Sequence, residues 1–207
     1  MAVKTDQRIV RAMAELLRVQ GYAATGLQQL ARAAQAPIGS IYHHFRGGKR
    51  EVAAAALRQA GAAYIQLLPM LLDQHADLPT AIDAAFAAAA DDLASTGWAN
   101  MCPVGTVAGE IADTEPELRQ VAAEVIASWA DEGTRYLAGR GLAPADARAA
   151  MYALLTALEG GFLLARAQRT VEPLLAAGHA VSAYIATMPT AMRARDITRP
   201  AQVHASH

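Results

Sequence analysis

The chain has 207 residues, of which 54% are hydrophobic and 5% aromatic, so it can bury the core of one or two folded domains. Its single cysteine, Cys102, excludes an intramolecular disulfide and a multi-cysteine zinc site. The net charge is −1, but residues 1–50 carry +6 and the remainder carries −7, which predicts a polyanionic partner for the N-terminal segment. That partner would be a nucleic acid or an anionic membrane surface, unless the charges are simply solvated.

The first residues, MAVKTDQRIV, contain neither an apolar signal region nor an acylation motif, so we expect a cytoplasmic protein. The longest uncharged stretch, residues 173–192, is long enough to span a bilayer. It contains prolines, a glycine and a histidine, which favour a helix of a soluble bundle and no membrane partner.

Three short helices are predicted at the N-terminus. Thr5 would cap the first and Gly21 would end it, because apolar residues recur between them at helical spacing. These apolar residues are Ile9, Met13, Leu16 and Leu17. A second helix has the apolar face Leu27, Leu30, Ala31 and Ala34. A connection over residues 35–37 leads to a third helix, with Pro37 in its first turn.

The third helix carries side chains of two kinds on opposite faces. Ile41 and Phe45 are four residues apart, so both are expected to face inward. Gly39, Ser40 and His43 project roughly opposite. Two helices joined by a short turn, the second with a small polar outer face, are typical of a helix-turn-helix that places this second helix in the DNA major groove.

The stretch GYAATGLQQLARAAQAPIGSIYHHFRGGKREV, residues 21–52, resembles the DNA-binding domain of TetR-family transcriptional regulators. The matching positions are Gly21, Tyr22, Thr25, Leu27, Leu30, Ala31, Ala34, Gly39, Ile41, Tyr42, His44, Phe45 and Lys49. HHFRGGK and NMCPVG, at 43–49 and 100–105, are similar to the LmrA/YxaF-like branch of that family. The resemblance implies an all-α fold, in which a three-helix helix-turn-helix DNA-binding domain is joined by a long helix to a C-terminal helical ligand-binding and dimerisation domain.

The residues expected to contact a double-stranded DNA operator lie on and around the second and third helices. They are Thr25, Gly26, Gln28, Pro37, Ile38, Gly39, Ser40, Tyr42, His43, His44 and Lys49. Tyrosine, histidine and lysine side chains donate hydrogen bonds to phosphate oxygens, and a glycine allows close approach to DNA.

Three positions depart from the family pattern. Gly26 stands where a Thr or Ser is usual, which leaves Thr25 to cap the second helix. Gln35 replaces the usual turn glycine and would adopt a left-handed conformation at some cost. Ile38 takes a reading position without a polar group, so we predict that it contacts a thymine methyl.

The pair His43 and His44 raises the alternative of a metal site. Adjacent residues on a helix diverge by about 100°, so the two rings do not easily share one ion. A role on phosphates, or a structural role for His44, is favoured, and neither a metal nor a cofactor is implied.

The rest of the chain reads as helices punctuated by glycine and proline. A long helix is predicted from Lys49 to Pro69, which disturbs it, and Asp77 begins another to about Ser95. GWANMCPVG, residues 97–105, then interrupts. Further helices are predicted from a capping box at 114–117 to about 138, over 144–169, and over 171–188. The predicted division is residues 1–48 for DNA binding, 49–189 for ligand binding and dimerisation, and 190–207 as a disordered tail.

A homodimer is predicted from the last two helices. MYALLTALEGGFLLA, residues 151–165, is apolar nearly all round and would leave a large exposed patch on a monomer. A second copy would cover it through helices 144–169 and 171–188, and a dimer would read two half-sites of a near-palindrome.

By resemblance, the C-terminal half binds a small apolar or amphipathic inducer that releases a repressor from DNA. Candidate lining residues are Tyr64, Phe86, Trp98, Met101, Cys102, Glu110, Trp129, Tyr152, Glu159 and Phe162. The aromatic and sulfur-containing ones would otherwise be plain core. The two glutamates would bind a cationic or hydroxylated group, or else be solvated or ion-paired.

Two other classes of protein fit the sequence less well. No nucleophile, metalloprotease or phosphate-loop motif occurs, which disfavours an enzyme. A helical protein-interaction adaptor without ligand response would explain the apolar helices but not the basic N-terminus. DNA binding that weakens steeply with salt would distinguish a DNA-binding regulator from both.

Overall fold

The structure, a computed structural model, describes residues 3–111 and 114–189, and the regular elements in these ranges are all α-helices. They are α1 (Thr5–Gln20), α2 (Leu27–Ala33), α3 (Ile38–His44), α4 (Gly48–Ile65), α5 (Leu67–Leu72), α6 (Leu78–Ser95), α7 (Pro103–Ile111), α8 (Pro116–Gly139), α9 (Pro144–Gln168) and α10 (Glu172–Ala186). The all-α prediction is confirmed. The tail predicted to be disordered lies outside the described residues.

Helix α1 ends as predicted but begins differently. Gly21 ends it with φ 82°, in the left-handed region that glycine adopts without strain. At its start Lys4 is the N-cap residue, no side chain caps the helix, and Thr5 is already helical. The prediction that Thr5 caps α1 was therefore wrong.

The turn between α2 and α3 has the predicted left-handed residue, because Gln35 has φ 51°. This conformation lets the Ala36 N–H donate to the Ala31 carbonyl at 3.0 Å, which satisfies an orphan carbonyl at the end of α2. Pro37 is the N-cap of α3 rather than a residue of its first turn. Ile41 is buried and Phe45 packs against the same core, so both face inward as predicted.

The long helix predicted from Lys49 breaks just before Pro69. Helix α4 ends at Ile65, and α5 begins after the single residue Gln66. A proline ring clashes with the carbonyl four residues earlier, which here belongs to Ile65, so the break falls at the position that Pro69 dictates.

Of the N-terminal caps predicted for α6 and α8, the first is present and the second is not. Asp77 caps α6 as expected, since its carboxylate accepts the Thr80 N–H at 3.0 Å. The capping box predicted at 114–117 is absent: Glu115 is the N-cap of α8 without a side-chain bond, and the Thr114 hydroxyl donates to the Ile111 carbonyl. Helix α7 was not predicted, because its Pro and Gly residues read as a continued break.

Two apolar cores lie side by side. The first joins α1–α4 to α7 and α8, and the second joins α5, α6, the end of α8, α9 and α10. The first core crosses the division predicted at residues 48 and 49, because α7 packs directly on α1 of the helix-turn-helix segment, while α8 packs on α4.

Helix α9 leaves much of its apolar surface uncovered within one chain. Leu163 and Leu164 are 60% and 51% exposed. Of the described helices, α9 is the one long and apolar enough to cross a membrane, and 28% of its most apolar window is buried within the protein.

Candidate DNA-binding face and ligand cavity

The predicted DNA-contacting residues form one largely exposed surface around α3. Those exposed are Gly26, Gln28, Pro37, Ile38, Gly39, Tyr42, His43 and His44. Ser40 and Lys49 are half-buried, and Thr25 is buried. A Cβ added at Gly39 would meet no atom within 4 Å, so the helix surface is low and open there.

Thr25 differs from the others because its side chain is used inside the protein. It is 1% exposed, and its hydroxyl donates to the Gly21 carbonyl at 2.7 Å. Gly26, not Thr25, is the N-cap of α2. The Thr25 hydroxyl thus stabilises the turn after α1 by this hydrogen bond. It does not cap α2, contrary to the prediction.

Lys49 also has an internal partner. Its ammonium lies 4.0 Å from the centroid of the Tyr22 ring, a cation–π contact at the start of α4. The pKa of Lys49 is lowered, because the effect of partial burial exceeds the opposite effect of the nearby Glu110 and Glu115 carboxylates. The contact directs the side chain toward Tyr22, near Glu110 and Glu115 of the C-terminal half.

His43 and His44 are edge-to-face, with ring centroids 5.0 Å apart. Both are exposed, and no three His, Cys, Asp or Glu side chains come together as a metal site anywhere in residues 3–111 and 114–189.

A cavity of about 460 Å³ lies between α4, α5, α6, α8 and α9. Of the residues predicted to line a pocket, it brings together Tyr64, Phe86, Met101, Cys102, Trp129, Glu159 and Phe162. Leucine and isoleucine side chains supply most of the remaining wall. This composition, with few polar groups, is typical of sites for small apolar ligands.

Tyr64 and Trp129 form an ordered part of the wall. Their rings are stacked, with centroids 6.4 Å apart and planes 12° apart. The Trp129 indole donates to the Gly61 carbonyl at 2.8 Å, which ties α8 to α4. Burial raises the pKa of Tyr64 to about 12, so its hydroxyl remains protonated at neutral pH.

Glu159 and Cys102 are the paired polar groups of the cavity. Burial raises the pKa of both groups, the carboxylate raises that of the thiol further, and the thiol offsets part of the rise for Glu159. A Cβ at Gly105 would lie 2.0 Å from a Glu159 carboxylate oxygen, so only glycine at this position of α7 leaves room for the side chain.

Three predicted lining residues lie elsewhere. Trp98 packs on the second core in the connection after α6, with φ 67°. Tyr152 is 42% exposed and lies under the Arg148 guanidinium. Glu110, at the end of α7, accepts the backbone N–H groups of Tyr22 and Ala23 at 2.6 and 2.7 Å.

Glu110 therefore joins the two halves of the chain. The turn that it holds lies between α1 and α2, while the residues just before α7 line the cavity. A second link is made by Arg166 of α9, which donates to the Val19 carbonyl at 2.8 Å. Hydrogen bonds thus link α7 and α9 to the end of α1 and the turn that follows it.

Sequence reasoning missed the polar residues Arg18, Asp92 and Asn100 of the cavity wall. Arg18 was counted with the basic N-terminus, since nothing local shows that the end of α1 faces the cavity. Asp92 lies on α6 and Asn100 in the connection that follows it, and the Asn100 amide donates a hydrogen bond to the Asp92 carboxylate at 2.6 Å.

Both halves of the chain match known families. Residues 9–56 match the profile of the bacterial regulatory proteins of the tetR family. Residues 79–180 match the C-terminal domain of LmrA/YxaF-like transcriptional regulators.

Two curated relatives come from Bacillus subtilis. The uncharacterized HTH-type transcriptional regulator YxaF is 32% identical over 169 residues, which cover 82% of this chain and 88% of the relative. The HTH-type transcriptional regulator LmrA is 29% identical, with 82% and 90% covered.

Solved structures show the same fold. A crystal structure of regulatory protein TetR from Rhodobacter sphaeroides has a TM-score of 0.74 and 23% identity, covering 86% of this chain and 97% of that one. A TetR transcriptional regulator from Chloroflexus aurantiacus has a TM-score of 0.68 and 26% identity, covering 90% and 97%. The similarities extend over both halves of the chain, which therefore belongs to the TetR family of DNA-binding transcriptional regulators.

Proposed function

We propose that this regulator is a dimeric repressor that leaves its operator when a small apolar or amphipathic molecule fills the cavity. The observation that carries the proposal is the cavity itself, because its wall includes the residues just before α7, and α7 ends in the Glu110 contact with the helix-turn-helix. The cavity thus has a physical connection to the DNA-binding half.

The DNA-binding surface of the proposal is the exposed face of α3 with the residues beside it. Gly39→Ala tests it, because the added methyl group meets nothing inside the protein but would meet DNA that approaches closely. We expect operator affinity to fall by roughly tenfold while the protein is no less stable. Gly139→Ala is the matched control, since its Cβ also meets nothing and it lies at the end of α8.

The proposed dimer face lies on α9 and α10. Its exposed large side chains are Tyr152, Leu163, Leu164, Leu175 and Tyr184. An apolar patch of this kind on a soluble protein marks an interaction surface. Sedimentation should show a dimer at micromolar concentration and a monomer for Leu163→Lys. Met70→Lys, at a 58% exposed position on α5, should leave the dimer intact.

The ligand response follows if the ligand prefers the conformation that does not bind DNA. Coupling of 1–3 kcal/mol is typical and corresponds to a roughly 5- to 150-fold loss of operator affinity. The decisive experiment selects an operator from randomised DNA and measures its fluorescence anisotropy at fixed salt while small apolar compounds are added. If compounds that bind the protein leave operator affinity unchanged, the proposal is wrong.

The alternative is a helical protein-interaction adaptor without ligand response. It predicts no DNA binding that weakens steeply with salt, so repeating the anisotropy measurement at rising salt distinguishes it from the proposed regulator. The family's members are transcriptional regulators and not enzymes. Their work on DNA supports the expected cytoplasmic location, which localisation of a tagged full-length protein would test.

A further inference from the structure

Arg18 brings a cation of the DNA-binding half to the wall of the ligand cavity. It lies in the last turn of α1, and its side chain is 27% exposed. Its Nε atom is buried, and no acceptor within residues 3–111 and 114–189 forms a hydrogen bond with it. A buried N–H group without an acceptor is unfavourable and rare, and a ligand oxygen would satisfy it.

The nearby acceptors are already engaged. Glu15 pairs with an Nη atom of the same guanidinium from the previous turn of α1. Asp92, on the cavity wall, accepts the Asn100 amide at 2.6 Å. Glu159 interacts with the Cys102 thiol, which lowers the pKa of its carboxyl group against the effect of burial. The unsatisfied donor thus belongs to Arg18, while these carboxylates have partners of their own.

The remaining wall limits what else a ligand contains. It consists mostly of leucine, isoleucine, methionine and aromatic side chains, and the Trp129 indole N–H is already bonded to the Gly61 carbonyl. A compound that fills the cavity must therefore be mainly apolar. A single acceptor group suffices to satisfy the Arg18 Nε–H.

From this geometry we infer that the cavity binds a mainly apolar molecule that carries a carbonyl or carboxylate oxygen, and that Arg18 donates to that oxygen. The inference rests on the proposed ligand response and specifies its ligand. A guanidinium donates strongly to both kinds of oxygen. Glu15 already balances the charge of Arg18, so a neutral carbonyl is accepted as well as an anion.

The position of Arg18 gives such a ligand direct access to the DNA-binding half. The next residue, Val19, is held by Arg166 of α9, and the turn that follows is held by Glu110 of α7. A ligand oxygen bound to Arg18 therefore acts on α1 at the end where both links from the C-terminal half converge.

The test compares three probes of equal chain length with the full-length protein by titration calorimetry. Decanoate offers a carboxylate, 2-decanone offers a neutral carbonyl, and decylammonium offers no acceptor. Arg18→Met keeps the apolar stem and removes the donor, so decanoate and 2-decanone should each bind roughly tenfold more weakly. Decylammonium should bind no more weakly than it does to the unsubstituted protein, because the substitution removes a cation from the cavity wall.

Arg8→Met is the matched control. Arg8 lies on the same helix and also has a buried Nε without an acceptor among the described residues, but it does not line the cavity. Its substitution should change the affinity of no probe. The inference is overturned if Arg18→Met leaves decanoate and 2-decanone unchanged, if it weakens all three probes equally, or if no probe binds the unsubstituted protein.

Release of operator DNA by the same probes is measured separately. Arg18-dependent binding without release would refute the proposed ligand response and leave the inference standing. Release that is independent of Arg18 would refute the inference and leave the ligand response standing.

Discussion

Replacing Glu110 by Gln should loosen the turn between α1 and α2. The carboxylate accepts the N–H groups of Tyr22 at 2.6 Å and Ala23 at 2.7 Å, whereas an amide has one acceptor oxygen. One bond is lost, and the other loses the charge that strengthens it. Hydrogen bonds to charged groups contribute about 1.5–3 kcal/mol each. Because Glu110 is exposed, we expect a smaller total loss, about 1–2 kcal/mol in the free energy of unfolding.

Urea denaturation followed by circular dichroism measures this change. The protein concentration must be fixed, because the stability of the proposed dimer would depend on it. Glu124→Gln is the matched control, since the Glu124 carboxylate has only exposed partners among the described residues, Arg58 at 3.5 Å and the Gln120 amide at 3.3 Å. It should lose between 0 and about 1 kcal/mol in the free energy of unfolding. Equal losses in the two variants would refute the argument that Glu110 joins the halves.

Three further predictions concern the cavity and the DNA-binding face. Burial raises the pKa of Glu159 above its ordinary value of 4.5, so the folded protein keeps a proton that the unfolded chain loses first. The stability gained from this proton is fully present below about pH 4.5 and is lost as the pH rises. In urea denaturation, Glu159→Gln should therefore have the larger free energy of unfolding at pH 8, and the difference from the unsubstituted protein should shrink toward pH 4.5. A margin independent of pH would contradict this. Trp129→Phe removes the buried hydrogen bond to the Gly61 carbonyl and should lower the free energy of unfolding by about 1–2 kcal/mol. Thermal denaturation measures this change, and an unchanged midpoint temperature would show that the bond does not stabilise the protein. Ile38→Arg should change the preferred base at one operator position, and selection of an unchanged site from randomised DNA would exclude Ile38 as a reading residue.

Local signals in the sequence were sufficient for most helix ends. Gly21, Asp77 and Pro69 act through backbone geometry or a neighbouring N–H group, so their effects do not depend on distant residues. The left-handed conformation of Gln35 was predicted because this residue replaces the glycine that is usual in the turn of the family pattern. Thr114 failed as a cap because its hydroxyl instead bonds to Ile111, at the end of a helix that the pattern did not reveal.

The cavity was predictable only in part. Aromatic and sulfur-containing residues were good candidates because large side chains line apolar sites, and Tyr64 and Phe162 are among those that do. The positions of Glu110 and Arg18 were predicted wrongly: Glu110 does not line the cavity, and Arg18 does. Each lies at the end of a helix, α7 or α1, that meets the other half of the protein. Which helix end meets the other half depends on how α1, α7 and α9 pack together. The spacing of residues within a single helix carries no information about that packing.

The contact between α4 and α8 at Gly61 has a mechanical consequence. A Cβ there would lie 2.4 Å from a Val125 methyl group, and the Gly61 carbonyl accepts the Trp129 indole, so the two helices are held closely at this point. From Gly61 to the start of α4 at Gly48 the helix extends about 20 Å. If Gly61 serves as a fulcrum, a tilt of about 3° displaces that end by about 1 Å. Small movements in the cavity would thus be magnified beside α3.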